Sequence, residues 1–221
     1  MENIPPEINE IQPSPEELAR QHSKEIAEFF GIENYPEIRA VFFDSKEELA
    51  SKYVEYMRER RLSQGKPWED DAPEYMVGWN PPGANWNEAW VIKVGALDNN
   101  NLPVDQERFS RILKHELTHA YIAEYTGVRD TAFSSPPSWL AEGVCYHLAG
   151  QKAPEYEDII SLELLKELSN TNDSRKYSVG QFMVEAILRD YGKKKLLDSL
   201  KITNDHENLA KELKEMFPWL K

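Results

Sequence analysis

His115-Glu116-Leu117-Thr118-His119 constrains this chain more than any other stretch. Residues four apart share one face of an α-helix, stacked a turn apart. Two imidazoles at that spacing can bind one Zn²⁺, and the glutamate between them lies close enough to act as a general base. The pattern therefore needs a helix, and the flanking residues predict one over 106–125. Asp105 can cap its start and Gly127 can close its end. Phe109, Ile112, Leu113, Ala120 and Ile122 give it an apolar lining. Without a metal, the same residues read as two surface histidines on an amphipathic helix.

A catalytic zinc site usually takes three protein ligands and keeps one position open. Downstream, Pro136 and Pro137 at the front and Gly150 at the back bracket a short helix. Glu142 sits near its start among apolar residues. A buried acid needs a partner, and a metal is one. The loop 128–135 gives the chain room to fold this helix back on the first. Glu142 as third ligand completes a His₂Glu set, with one zinc ion per chain.

The combination of His115-Glu116-x-x-His119 with Trp139-Leu140-Ala141-Glu142-Gly143 resembles the gluzincin metallopeptidases, and more narrowly their small peptidase MA-like branch. Three further segments are similar in pattern. Arg39 to Asp44 with Ser45 to Leu49 looks like an opening strand and helix. Trp90 to Gly95 looks like the edge strand before the zinc helix. Tyr177 to Phe182, followed by a helix to Gly192, looks like the helix that closes the site from behind. The resemblance implies a zinc-dependent peptidase that hydrolyses peptide bonds through a metal-activated water. Glu116 would be its general base, and Tyr177 the donor to the oxyanion. His147 is an alternative donor. A zinc-binding regulatory or peptide-binding protein that does not cleave is the main rival, although a purely structural zinc has no use for Glu116. A helical interaction module without metal is the other.

The chain also departs from the family. Tyr146 stands where thermolysin-like relatives carry an Asp, so the partner of the zinc histidines is not assigned by analogy. Cys145, three residues after Glu142, reads either as a small buried core residue or as a thiol facing the metal. Gly83-Ala84-Asn85-Trp86-Asn87 is similar to an aminopeptidase motif, but Trp86 occupies its glutamate position and Glu88 is shifted.

Composition narrows the partners. A net charge of −13 argues against nonspecific binding to nucleic acid or to anionic membranes. No apolar run reaches membrane-spanning length. The single cysteine cannot form an intrachain disulfide. The segment Met1 to Glu7 lacks the basic and apolar regions of a signal peptide. A cytoplasmic protein with a peptide or protein substrate is expected.

Along the chain, 1–14 reads as an extended polar tail and 15–221 as one metallopeptidase-like domain. Its 15–126 half carries a small mixed sheet and the zinc helix. Its 127–221 half is all helix. The fold class is α+β, with the zinc-site cleft between the halves. Ser14-Pro15-Glu16-Glu17 is a capping box that starts a helix running to Phe30. A strand is expected over 38–43, a helix over 46–61, a polar loop over 62–73, and a strand through Tyr75, Val77 and Trp79. The strand at 89–94 is expected at the sheet edge, where free backbone groups could pair with an extended peptide. Trp90 and Ile92 would then be its substrate-binding residues, with Trp86 beside them. The bland alternative is a covered strand with its tryptophans in the core. Further helices are expected over 158–168, 179–191, 193–200 and 207–216.

Overall fold

The computed structural model describes residues 13–34, 37–63, 78–81, 86–98, 102–128, 136–156, 158–170, 173–202 and 206–220. The tail through residue 12, the polar loop over 64–73, Tyr75 and Val77, and Gly83-Ala84-Asn85 lie outside them. The described chain is α+β. Helix α1 (Pro15–Phe30) precedes strand β1 (Arg39–Phe43), helix α2 (Lys46–Ser63), strand β2 (Gly78–Trp79) and strand β3 (Glu88–Ile92). Five helices follow: α3 (Gln106–Thr126), α4 (Ser138–Ala149), α5 (Leu162–Glu167), α6 (Arg175–Leu200) and α7 (His206–Met216). No described helix is long and apolar enough to cross a membrane.

Local chemistry sets the boundaries. Ser14 Oγ accepts from the Glu17 backbone N–H at 3.2 Å, and Glu17 returns a carboxylate to the Ser14 N–H at 2.7 Å. Asp105 caps α3 by accepting from the Arg108 N–H at 2.7 Å. Glycines close α1, α3 and α4 in the left-handed conformation. The helix expected over 158–168 is shorter than expected, because Ser161 caps it only at Leu162. The two helices expected on either side of Gly192 are both present: α6 is two helical stretches meeting at a kink, where Gly192 leaves the helical conformation at φ 78° and ψ 172°. Because α6 begins at Arg175, Tyr177 lies within its first turn.

The three strands form a mixed sheet in the order β1-β3-β2. β1 pairs with β3 in parallel, Arg39 opposite Glu88 through Phe43 opposite Ile92. β2 pairs with β3 antiparallel, Gly78 opposite Val91 and Trp79 opposite Trp90. β3 is therefore the central strand, which corrects the expected edge position. Every residue of β3 is buried, and its unbroken Ala-Trp-Val-Ile run is what a strand covered on both faces carries.

One face of the sheet packs aromatic rings against α2: Trp90 lies 5.9 Å from Tyr56, and Trp79 lies 4.6 Å from Tyr53. The other face meets α3, where Phe42 lies 5.8 Å from Phe109. The expected substrate-binding residues Trp90 and Ile92 thus belong to the core, at 3 % and 0 % exposure.

The helical half is organised by α4 and α6, the most extensively packed pair of elements. Gly143 and Gly180 let their backbones touch. A Cβ on Gly143 would lie 2.3 Å from the Gly180 carbonyl oxygen, and one on Gly180 would lie 2.0 Å from that of Trp139. No other residue type fits such a crossing. It places the residue before Gly143, which is Glu142, against the first turn of α6.

Candidate metal centre

Helix α3 carries His115 and His119 on the face turned towards α4, with Glu116 turned towards β2. One helical repeat brings the two Nε2 atoms to 3.2 Å from each other. Glu142 reaches across from α4, its Oε2 lying 3.3 Å from His115 Nε2 and 3.5 Å from His119 Nε2. Bonds of 2.0–2.1 Å at the tetrahedral angle separate ligand atoms by about 3.3–3.4 Å. The three atoms thus form a triangle of the size that one face of a tetrahedral zinc site requires.

Two further observations fit a cation there. Buried Glu142 Oε2 is near both imidazoles yet makes no aligned hydrogen bond. An orphaned buried oxygen is costly unless something else binds it. His115 Nδ1 lies 2.8 Å from Gln151 Oε1. An amide oxygen can only accept, so Nδ1 carries the proton and Nε2 presents its lone pair to the centre of the triangle.

Cys145 offers a rival third ligand. Its Sγ and the ligand atoms of the two histidines all lie within 4.8 Å of one another. The Glu142 triangle is tighter and closes to tetrahedral spacing. The thiol is fully buried, and burial, with Glu142 and Glu116 adding to it, pushes its pKa well up. By spacing, the set formed by His115, His119 and Glu142 is the better one.

The two carboxylates meet opposite surroundings. Burial pushes Glu142 up, but the two imidazoles outweigh it and hold its pKa well below the usual range. Its second oxygen, Oε1, lies 3.1 Å from Lys176 Nζ. Glu116 is raised, first by burial and then by Glu142, against the pull of the imidazoles. Burial opposes protonation of His115, yet the Glu142 contact and the charge of Glu116 prevail and raise it. The Glu116 side chain lies over Gly78: a Cβ there would sit 2.7 Å from its Cγ.

Tyrosines line the flank. Tyr146 stands edge-on to the His115 ring at 5.4 Å, and Tyr177 packs against Tyr146 at 5.3 Å. Burial, then Glu142, Tyr146 and Glu116, push the Tyr177 phenol strongly up, so it stays protonated. His147 lies about 140° around α4 from Glu142 at ~100° per residue. It is exposed on the side that feels Glu185, which removes it as an alternative donor. Glu88 pairs with Arg39 and accepts from the Trp90 indole N–H at 2.7 Å, so its carboxylate is already engaged away from the imidazoles.

Three residues of the site escape sequence reasoning: Gln151, Lys176 and Gly78. Only Gly78 left a signal, since an isolated glycine in a strand often marks a close approach. Comparison with protein-family models, with curated proteins and with solved structures returns no match.

Proposed function

We propose that this chain is a zinc-dependent peptidase of the gluzincin type, and the observation that carries the reading is the near-equilateral triangle of His115 Nε2, His119 Nε2 and Glu142 Oε2. These three residues would hold the ion. When bound, zinc polarises a carbonyl and lowers the pKa of water towards neutral. Glu116, buried and raised in pKa, is suited to take a proton from the attacking water and return it to the leaving amine. Tyr177, held neutral, can donate its hydroxyl proton to the developing oxyanion. Gln151 keeps His115 in the ligating tautomer.

A peptide substrate would lie along β2 rather than β3. β2 is the outer strand on that side among the described residues, and its Gly78 borders Glu116. Backbone pairing there would present an extended chain to the base without reading its side chains. A cytoplasmic setting belongs to the same proposal and rests on the single cysteine. The second reading, a zinc protein that does not cleave, draws on Cys145, whose thiol could close the site as a fourth ligand.

The test is a digest of a broad peptide library by the zinc-loaded protein and by Glu116→Gln. The parent should cleave, and the variant should keep its zinc while losing about 10²–10⁴ in rate. A zinc-loaded parent that cleaves nothing favours the second reading. Equal rates would remove Glu116 from the mechanism.

A further inference from the structure

Lys176 is buried, at 8 % exposure. Lysine is almost never buried without a partner. Its ammonium lies 3.1 Å from Glu142 Oε1 and 5.0 Å from the centre of the Tyr177 ring. The two oxygens of Glu142 are thereby given different tasks. Oε1 faces the lysine, while Oε2 faces both imidazoles and makes no aligned hydrogen bond.

The backbone makes this pairing. Gly180 follows Lys176 by one helical turn, and Gly143 follows Glu142 directly. Contact between the two glycines sets the first turn of α6 against the start of α4. The lysine is therefore planted opposite the carboxylate by the same crossing that brings the carboxylate to α3.

We infer that Lys176 is a positioning residue that pins Oε1 of Glu142, so that this glutamate presents one oxygen, Oε2, to the metal. The inference rests on the zinc reading above. A carboxylate can bind a metal through one oxygen or two, and an unrestrained one is free to turn. It can also collapse onto the neighbouring imidazoles. Held by Lys176, it does neither, and the fourth side of the tetrahedron stays clear for water and substrate. A cation this close also repels the metal, so coordination geometry separates positioning from simple charge better than affinity alone.

The experiment loads the parent and Lys176→Met with Co²⁺ in place of zinc and records the visible d–d absorption. Zinc affinity is measured beside it by chelator competition. The parent should bind one ion and give the strong bands of a four-coordinate site. Lys176→Met should still bind, with weaker bands shifted to shorter wavelength as Glu142 turns to offer both oxygens. Its zinc affinity should fall by about 10–100-fold, as for loss of other outer-shell partners.

A lysine that only supports the fold would change the unfolding temperature and leave the spectrum alone. An unchanged spectrum, or a variant that binds zinc more tightly, overturns the inference. If Lys176→Met does not fold, a zinc-loaded crystal structure of the parent decides. Glu142 should ligate through Oε2 alone with Oε1 still on Lys176. Two-oxygen ligation, or a lysine turned away, overturns it. A parent that takes up no metal refutes the zinc reading itself, whereas a loaded parent with an indifferent variant refutes only the role of Lys176.

Discussion

The α4–α6 side of the site and its α3–β2 side each deliver one glutamate, and they treat it differently. On the first side two helices touch backbone to backbone at Gly143 and Gly180, and Glu142 sits between imidazoles and an ammonium. The imidazoles beside it hold its pKa well below the usual carboxylate range. On the second side a two-residue strand lays Gly78 against Glu116, whose pKa burial raises. In the proposed mechanism, environments that push the two groups apart would suit one to be a fixed charge and the other a proton carrier. The tightly packed side carries the third ligand of the proposed zinc site.

The comparison can be broken at Tyr177, whose phenol feels the charge of both carboxylates. Tyr177→Phe should lower kcat by up to about 10²–10³ with little change in KM, the pattern of an interaction made in the transition state. An unchanged kcat would leave Tyr177 as packing for Tyr146.

The two glycine contacts then sharpen the contrast between the sides. Gly78→Ala places a methyl group 2.7 Å from Glu116 Cγ, the stem of a side chain that can move. It should keep zinc and fold but misplace the base, for a loss of up to about 10² in kcat/KM. Gly143→Ala meets backbone instead, the Gly180 carbonyl oxygen at 2.3 Å. It should destabilise the fold by about 1–3 kcal/mol, read by denaturant unfolding, and loosen metal binding with it. Activity loss from Gly143→Ala with full stability and full zinc would mean that the crossing does not govern Glu142.

Much of the site was legible because the chemistry is local. The four-residue spacing of His115 and His119 and the caps at Asp105 and Gly127 lie within one helix. Glu142 was legible as an acid in an apolar run. The small sheet with a helical half was legible from the order of the elements. Strand order was not, because β1 and β2 find β3 only through tertiary packing. The fully apolar run of β3 did carry the signal for a central strand, and it outweighs the family-based expectation of an edge. Lys176 and Gln151 were invisible for the same reason: each meets the site through a contact between distant segments that no periodicity encodes.

The most direct test of the account is zinc K-edge X-ray absorption on the loaded protein, with Cys145→Ala and Glu142→Ala beside it. The parent should show one zinc per chain surrounded by nitrogen and oxygen alone at about 2.0–2.2 Å. Cys145→Ala should leave that spectrum unchanged, and Glu142→Ala should lose most of its zinc. A sulfur neighbour at about 2.3 Å, or full zinc retention in Glu142→Ala, would contradict the His₂Glu site and the division of labour between its two glutamates.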